Sequence, residues 1–203
     1  MSHFANYIEK EIEIIKMLDV VALEKAARLI LDAYHKGANI YICGNGGSGA
    51  SASHITGDYI KGASYGLDKR FKFICLNDNI TSILAISNDL SYEEIFIEPL
   101  KNFAQAGELF IGISGSGNSA NIVKAMQYAK DSGLQTIALS GFKGGKIKDM
   151  ADVCIYTPVN DMQITEDLHM MALHAIFQYI VKELFGKSTN EKTMGAAYDK
   201  RME

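Results

Sequence analysis

The 203-residue chain has only three cysteines, two prolines and no tryptophan, with no excess of positive charge and no long apolar run. Each shortage removes a class of protein. Cys43, Cys75 and Cys154 are odd in number and far apart, with no C-x-x-C spacing, so a reduced, cytoplasmic setting is expected. Twenty lysines and arginines face 24 acidic residues, a net charge of −4, which lacks the basic face that nucleic-acid binding requires. The opening MSHFANYIEKEIEIIKM is charged throughout where an export signal needs an apolar stretch. No run approaches the ~20 apolar residues that cross a bilayer. Neither nucleic acid nor membrane is therefore an expected partner. A small phosphorylated ligand stays open, because backbone N–H groups bind anions without net positive charge.

What is present is a core and a regular alternation. A chain of this size can bury ~70% of its unfolded surface without disulfides or metal. Residues 1–36 read as helix: Ile8, Ile12, Ile15 and Leu18, then Leu23, Ala26, Leu29, Ile30 and Ala33, recur at steps of three and four, with Asp19 as a break. Short apolar runs follow at Asn39–Cys43, Phe71–Leu76, Leu109–Ile113, Thr136–Leu139 and Val153–Tyr156, the texture of buried parallel strands. Helical patterns lie between them at Ala50–Lys61, Ser82–Ala85, Tyr92–Phe103, Ser119–Ser132 and Gly144–Met150. The alternation predicts an α/β protein, a flavodoxin-like three-layer αβα sandwich on a five-stranded parallel sheet with leading helices, binding ligands beyond the carboxyl ends of its strands. A last amphipathic helix is expected over Thr165–Phe185, stopped by Gly186. The expected organisation is leading helices over 1–36, a ligand-binding domain over 37–186 and a loose tail over 187–203.

The chemistry gathers where the strands end. Gly44-Asn-Gly-Gly-Ser-Gly49 follows the first strand and satisfies G-x-G-x-x-G, a turn that suits a phosphate monoester as well as a pyrophosphate. A nicotinamide-dinucleotide enzyme would also need an acidic residue ~20 positions on at a strand end, and none is placed there. Ser114-Gly-Ser-Gly-Asn-Ser119 ends the third strand with three hydroxyls at a second helix start. A plain N-cap uses one; three form an anion cradle. Ser140-Gly-Phe-Lys-Gly-Gly145 reads as a turn. Asp78, after Asn77, sits where a carboxylate accepts from sugar hydroxyls or caps the next helix. His54 and Asp58, four apart, share a helix face and suit a metal or an acid/base pair. Glu166, His169 and His174 cluster in the last helix. Glu166 and His174 stand ~12 Å apart along a regular helix, so one ion takes both only if the helix begins after Glu166 or a second subunit supplies one.

Together Cys43-Gly-Asn-Gly-Gly-Ser48 with His54, Asn77-Asp78, Ile113 to Asn121 and the closing histidine helix resemble the sugar isomerase (SIS) domain family and, within it, the phosphoheptose isomerases. The resemblance implies a homotetramer with active sites between subunits. The implied reaction converts D-sedoheptulose 7-phosphate to D-glycero-D-manno-heptose 7-phosphate, for bacterial lipopolysaccharide or capsule heptose. Carried over by position, phosphate and sugar contacts fall on Asn45, Gly46, Gly47, Ser48, Asn77 and Asp78, and on Ser114, Gly115, Ser116 and Ser119. The resemblance also implies one zinc per subunit on His54, Asp58, Glu166 and His174. It makes Asp58 the base of an enediol mechanism and His174 the acid, with Glu166 sharing the base role and touching substrate. Three positions depart from the family pattern: Asp58 stands for Glu, Glu166 for Gln and Gly115 for Thr. A second reading is a non-catalytic SIS protein that binds the replication initiator DnaA, distinguished by a turnover assay.

Overall fold

The computed structural model describes residues 2–185. Two helices lead, α1 (His3–Ile15) and α2 (Val20–Lys36). Asp19 separates them because its carboxylate accepts from the Val21 and Ala22 N–H groups at 2.9 and 3.3 Å, capping α2. Gly37, at φ 69°, ends it in the left-handed conformation that glycine adopts most easily. A five-stranded, wholly parallel sheet follows: β1 (Asn39–Gly44), β2 (Lys72–Cys75), β3 (Leu109–Ser114), β4 (Gln135–Ser140) and β5 (Val153–Tyr156), in the order β2-β1-β3-β4-β5. In β1, β3 and β4 nearly every residue is buried, whereas edge strand β2 alternates exposed Lys72 and Ile74 with buried Phe73 and Cys75. The strand order reverses between β1 and β3, which pair in register Ile40 to Leu109 and Gly44 to Ile113. That crevice is where a doubly wound sheet receives its ligand.

The connecting helices are α3 (Gly46–Gly57), α4 (Ile80–Asp89), α5 (Ile97–Phe103), α6 (Ala120–Asp131), α7 (Gly145–Met150) and α8 (Met162–Phe185). One sheet face is covered by α2, α3 and α8 through Ala26, Ile30, Ile55, Leu173 and Phe177; the other is covered by α4 to α7 through Ile83, Leu100, Ile122, Met126 and Ile147. Each fully buried aliphatic contributes about 1.5–3 kcal/mol. The three-layer sandwich is therefore as expected from the sequence.

The boundaries differ where apolar periodicity is silent. Helix α3 begins four residues before Ala50 because the glycine loop is itself its first turn, and it passes into a π-helical turn over Asp58–Ala63. The Tyr92–Phe103 pattern splits into a 3₁₀ turn, Tyr92–Glu94, and α5. Helix α8 starts at Met162, where Asp161 accepts from the Ile164 and Thr165 N–H groups. Gly186 and the tail 187–203 lie outside the described residues. Helix α1 buries none of its residues fully. Tyr7 and Ile14 pack beside Ile164 and Leu168, the Tyr7 hydroxyl donates to Asp167 (2.6 Å) and Lys10 pairs with Asp161 (2.7 Å). Phe4, Ile8, Ile12 and Ile15 stay exposed.

Candidate functional site

The carboxyl ends of β1 and β3 bring two loops together at the switch point. In the first, contact dictates glycine: a Cβ on Gly44 would lie 2.5 Å from the Ser48 backbone, and one on Gly47 would lie 2.4 Å from Glu166 Oε2. In the second, the Gly117 N–H donates to the Ser114 carbonyl (2.9 Å) and Ser114 Oγ lies 3.1 Å from Ser119 Oγ. Asn45, Ser48, Ser114, Ser116, Ser119 and Glu166 face one cavity of about 130 Å³. Among the described residues lining it there is no lysine or arginine, and Glu166 is its one charged side chain. Any anion held there meets hydroxyls, amides and helix N-termini.

The third loop, read as a turn, is a turn that buttresses the second. Gly141 N–H donates to the Gly115 carbonyl (2.8 Å), Ile147 N–H to the Gly117 carbonyl (3.1 Å) and Lys146 N–H to Asn118 Oδ1 (3.1 Å). Phe142 stands at φ 51°, a conformation an L side chain rarely adopts, with the Tyr156 hydroxyl donating to its carbonyl at 2.6 Å. Asn77 also supports rather than points outward. Its side chain accepts from the Gly44 N–H (3.2 Å) and donates to the Gly44 carbonyl (2.7 Å), extending the β1–β2 ladder by one rung. Asp78 accepts from Ser53 Oγ at 2.7 Å, and the cap of α4 is Asn79, which accepts from Ser82 N–H (3.0 Å).

A second cluster lies between α3 and α8. His54 Nε2 is 3.0 Å from His174 Nε2, and Asp58 Oδ2 is 3.4 and 3.5 Å from those nitrogens. Asp58 opens the π-helical turn, a distortion common at functional sites. Three donors about 2.0–2.1 Å from a tetrahedral ion stand roughly 3.3–3.4 Å from one another, so these three atoms fit one face of such a site. The three side chains are between a third and just over a half exposed, which leaves the remaining direction open.

Glu166 is not in this cluster, which corrects the four-residue metal set for a single chain. Because α8 begins at Met162 and runs unbroken, Glu166 stands two turns, ~12 Å, from His174. Its carboxylate lies over Gly47 in the serine-lined cavity instead. His169, between them, is 1% exposed and neither ring nitrogen has a hydrogen-bond partner. Burial pushes its pKa down to about 4; the Ser140 backbone beside it offsets part of that shift without reaching hydrogen-bond geometry.

Residues 3–141 match the family model of the SIS domain. The chain belongs to the SIS domain family. Its SIS-domain relatives include the phosphoheptose isomerase of Aliarcobacter butzleri, 36% identical over 163 residues and spanning 80% of this chain and 85% of that one. Phosphoheptose isomerase 2 of Campylobacter jejuni is 35% identical over 193 residues, spanning 91% and 92%. Among solved structures, the phosphoheptose isomerase of Neisseria gonorrhoeae superposes with a TM-score of 0.79 at 31% identity, covering 88% of this chain and 94% of that one. The Francisella tularensis phosphoheptose isomerase, at 23% identity and a TM-score of 0.81, shares the SIS fold, covering 90% of this chain and 100% of that one.

Sequence reasoning missed several supporting residues of this SIS site. Ser53 holds Asp78, and Met162 puts its sulfur 2.7 Å from where a Gly115 Cβ would lie. Tyr92 donates to Asn45 Oδ1 (2.9 Å) from 47 residues away. Asn121 bonds the same amide and stood inside the serine motif, where a second asparagine two residues past Ser119 was the available signal.

Proposed function

We propose that this SIS-family chain is a phosphoheptose isomerase that interconverts D-sedoheptulose 7-phosphate and D-glycero-D-manno-heptose 7-phosphate through a cis-enediol. The observation that carries the reading is the spacing on α8, with Glu166 in a cavity of neutral anion donors and His174 two turns away beside His54 and Asp58. An extended seven-carbon sugar phosphate spans roughly 10 Å from its reacting carbons to phosphorus, which is close to the ~12 Å rise of those two turns.

Asp58 Oδ2 faces the imidazoles, and its other oxygen takes the proton from C1 of the ketose and returns it to C2. His174 moves the second proton between O1 and O2, and His54 holds both partners in place. Glu166 accepts from sugar hydroxyls near Gly47; ~12 Å along α8 from His174, it stands too far from C1 and C2 to share the base role within one chain. Ser114, Ser116 and Ser119 hold the phosphate with Ser48, Gly46 and Asn45, drawing binding energy from a group remote from the reaction. His54, Asp58 and His174 are the residues that would hold zinc, which when bound would polarise the carbonyl and offset charge on the enediolate in place of the proton on His174 Nε2. Their half-exposure and the uncovered apolar stripe of α1 support a homotetramer with sites shared between subunits, and three unpaired cysteines support a cytoplasmic setting. The product serves heptose synthesis for lipopolysaccharide or capsule.

Incubation with sedoheptulose 7-phosphate, read by NMR for the aldose, tests the reaction, and elemental analysis of the purified protein tests the zinc. Asp58→Asn and His174→Ala each lower turnover at least ~100-fold while the sugar phosphate still protects against thermal unfolding. Full turnover in both variants refutes the assignment.

A further inference from the structure

The N-termini of α3 and α6 approach the cavity from neighbouring strands, and one pair of side chains ties them together. Asn121, in the first turn of α6, is only 2% exposed. Its Nδ2 donates to Asn45 Oδ1 and its Oδ1 accepts from Asn45 Nδ2, both at 2.9 Å, a reciprocal amide pair. The orientation is fixed by the backbone, because the Ile122 N–H donates to the same Asn121 oxygen at 2.9 Å and no nitrogen can stand there. Asn45 Oδ1 accepts a second bond from the Tyr92 hydroxyl (2.9 Å). Both acceptor positions of that oxygen are thereby used, and one N–H of the amide remains. Asn45 precedes α3 yet makes no side-chain capping bond to it. Its side chain serves as a strut between two helices.

We propose that Asn121 is a positioning residue: acting through Asn45, it sets the separation and rotation of the two helix N-termini so that both loops converge on one phosphate. A two-point planar amide pair fixes angle as well as distance, which single hydrogen bonds in a glycine-rich loop do not. Tyr92 closes the assembly from outside. This rests on the sugar-phosphate reading above, and inorganic phosphate separates the two in the test.

The experiment compares wild type with Asn121→Ala, Asn121→Asp and Tyr92→Phe by calorimetric titration with inorganic phosphate, by turnover of sedoheptulose 7-phosphate and by Tm. Asn121→Ala raises the phosphate Kd and the KM about tenfold, the size expected when a buried amide loses its partner. Its kcat changes less than about threefold, since His54, Asp58 and His174 do not touch the pair. Tyr92→Phe moves both constants the same way by about two- to threefold. Asn121→Asp keeps the shape and the acceptor for Ile122 but turns a carboxylate oxygen toward Asn45 Oδ1, so its phosphate affinity falls as pH rises through the carboxylate's titration. A merely structural role lowers Tm and leaves KM, phosphate Kd and their pH profiles as in wild type, and that result overturns the proposal. Should Asn121→Ala fail to fold, the other two variants decide. Wild type that binds phosphate without turning over the sugar refutes the isomerase, while the variants' phosphate affinities still judge Asn121.

Discussion

Acidification tests how tightly His169 is enclosed. Its imidazole is 1% exposed, unpartnered at both nitrogens, and held by burial at a pKa of about 4 against an ordinary 6.5. With the folded value the lower, the unfolded chain takes the proton first, so this contribution to stability is complete above about pH 6.5 and drains as pH falls toward 4. At ~1.36 kcal/mol per pKa unit, the loss is about 1.4 kcal/mol at pH 5.5 and about 3 kcal/mol by pH 4. That is a large share of the 5–15 kcal/mol of a typical domain. Urea unfolding between pH 7.5 and 4.5, at fixed protein concentration, follows the effect in wild type and in His169→Leu. The leucine variant removes two unpartnered nitrogens at similar volume, so at pH 7.5 it is as stable as wild type or more so. At pH 4.5 it exceeds wild type by about 2–3 kcal/mol more than it does at pH 7.5. Parallel pH profiles refute the reasoning. So does a loss of about 1–3 kcal/mol at pH 7.5, which would mean the ring has a partner after all.

Three glycines give sharper tests of the proposed phosphate site. Gly47→Ala places a methyl 2.4 Å from Glu166 Oε2; the side chain can swing away, so stability falls by less than about 1 kcal/mol while turnover falls about tenfold, and unchanged turnover refutes a role for Glu166 there. Gly117→Ala sets a methyl 1.8 Å from the Gly144 carbonyl oxygen and 2.9 Å from Gly145 Cα, at φ +67°. It costs more than about 2 kcal/mol in urea unfolding and weakens phosphate binding; wild-type values for both would show the third loop is no buttress. In Gly115→Thr the Cβ lies 2.7 Å from the sulfur of Met162, an unbranched side chain that can shift, and 3.7 Å from Thr165 Cγ2, so the fold survives and the added hydroxyl tightens phosphate binding about threefold in calorimetry, whereas weaker binding shows that Met162 cannot yield.

The layers of the fold were legible because burial leaves a strong trace. Leu109 to Ile113 lies inside the sheet on both faces, so nothing interrupts its apolar run. The start of α3 left none: glycine and serine make a poor helix in isolation, and Gly44, Asn77 and Glu166 close around the helical turn Gly46 to Gly49. The pairing of His54 with Asp58 followed from helix geometry, and so did the separation of Glu166 from His174. The family resemblance alone makes Asn77 a phosphate or sugar contact, and no spacing in the sequence shows that its amide bonds both backbone groups of Gly44. Tyr92 was out of reach, since no spacing rule links a residue to a partner 47 positions away.

If the cavity takes the sugar phosphate as proposed, the absence of lysine and arginine among the described residues lining it has a kinetic consequence. Hydroxyl and N–H dipoles act only at contact, and a surface of net charge −4 draws no anion from a distance. Ligand capture should therefore be slow to start and nearly indifferent to ionic strength, whereas a lysine-lined site weakens steeply as salt rises. Selection then falls to the other cluster: a sugar carrying a second phosphate at its far end would set that charge beside Asp58, so the carboxylate between the two histidines limits which sugars are accepted.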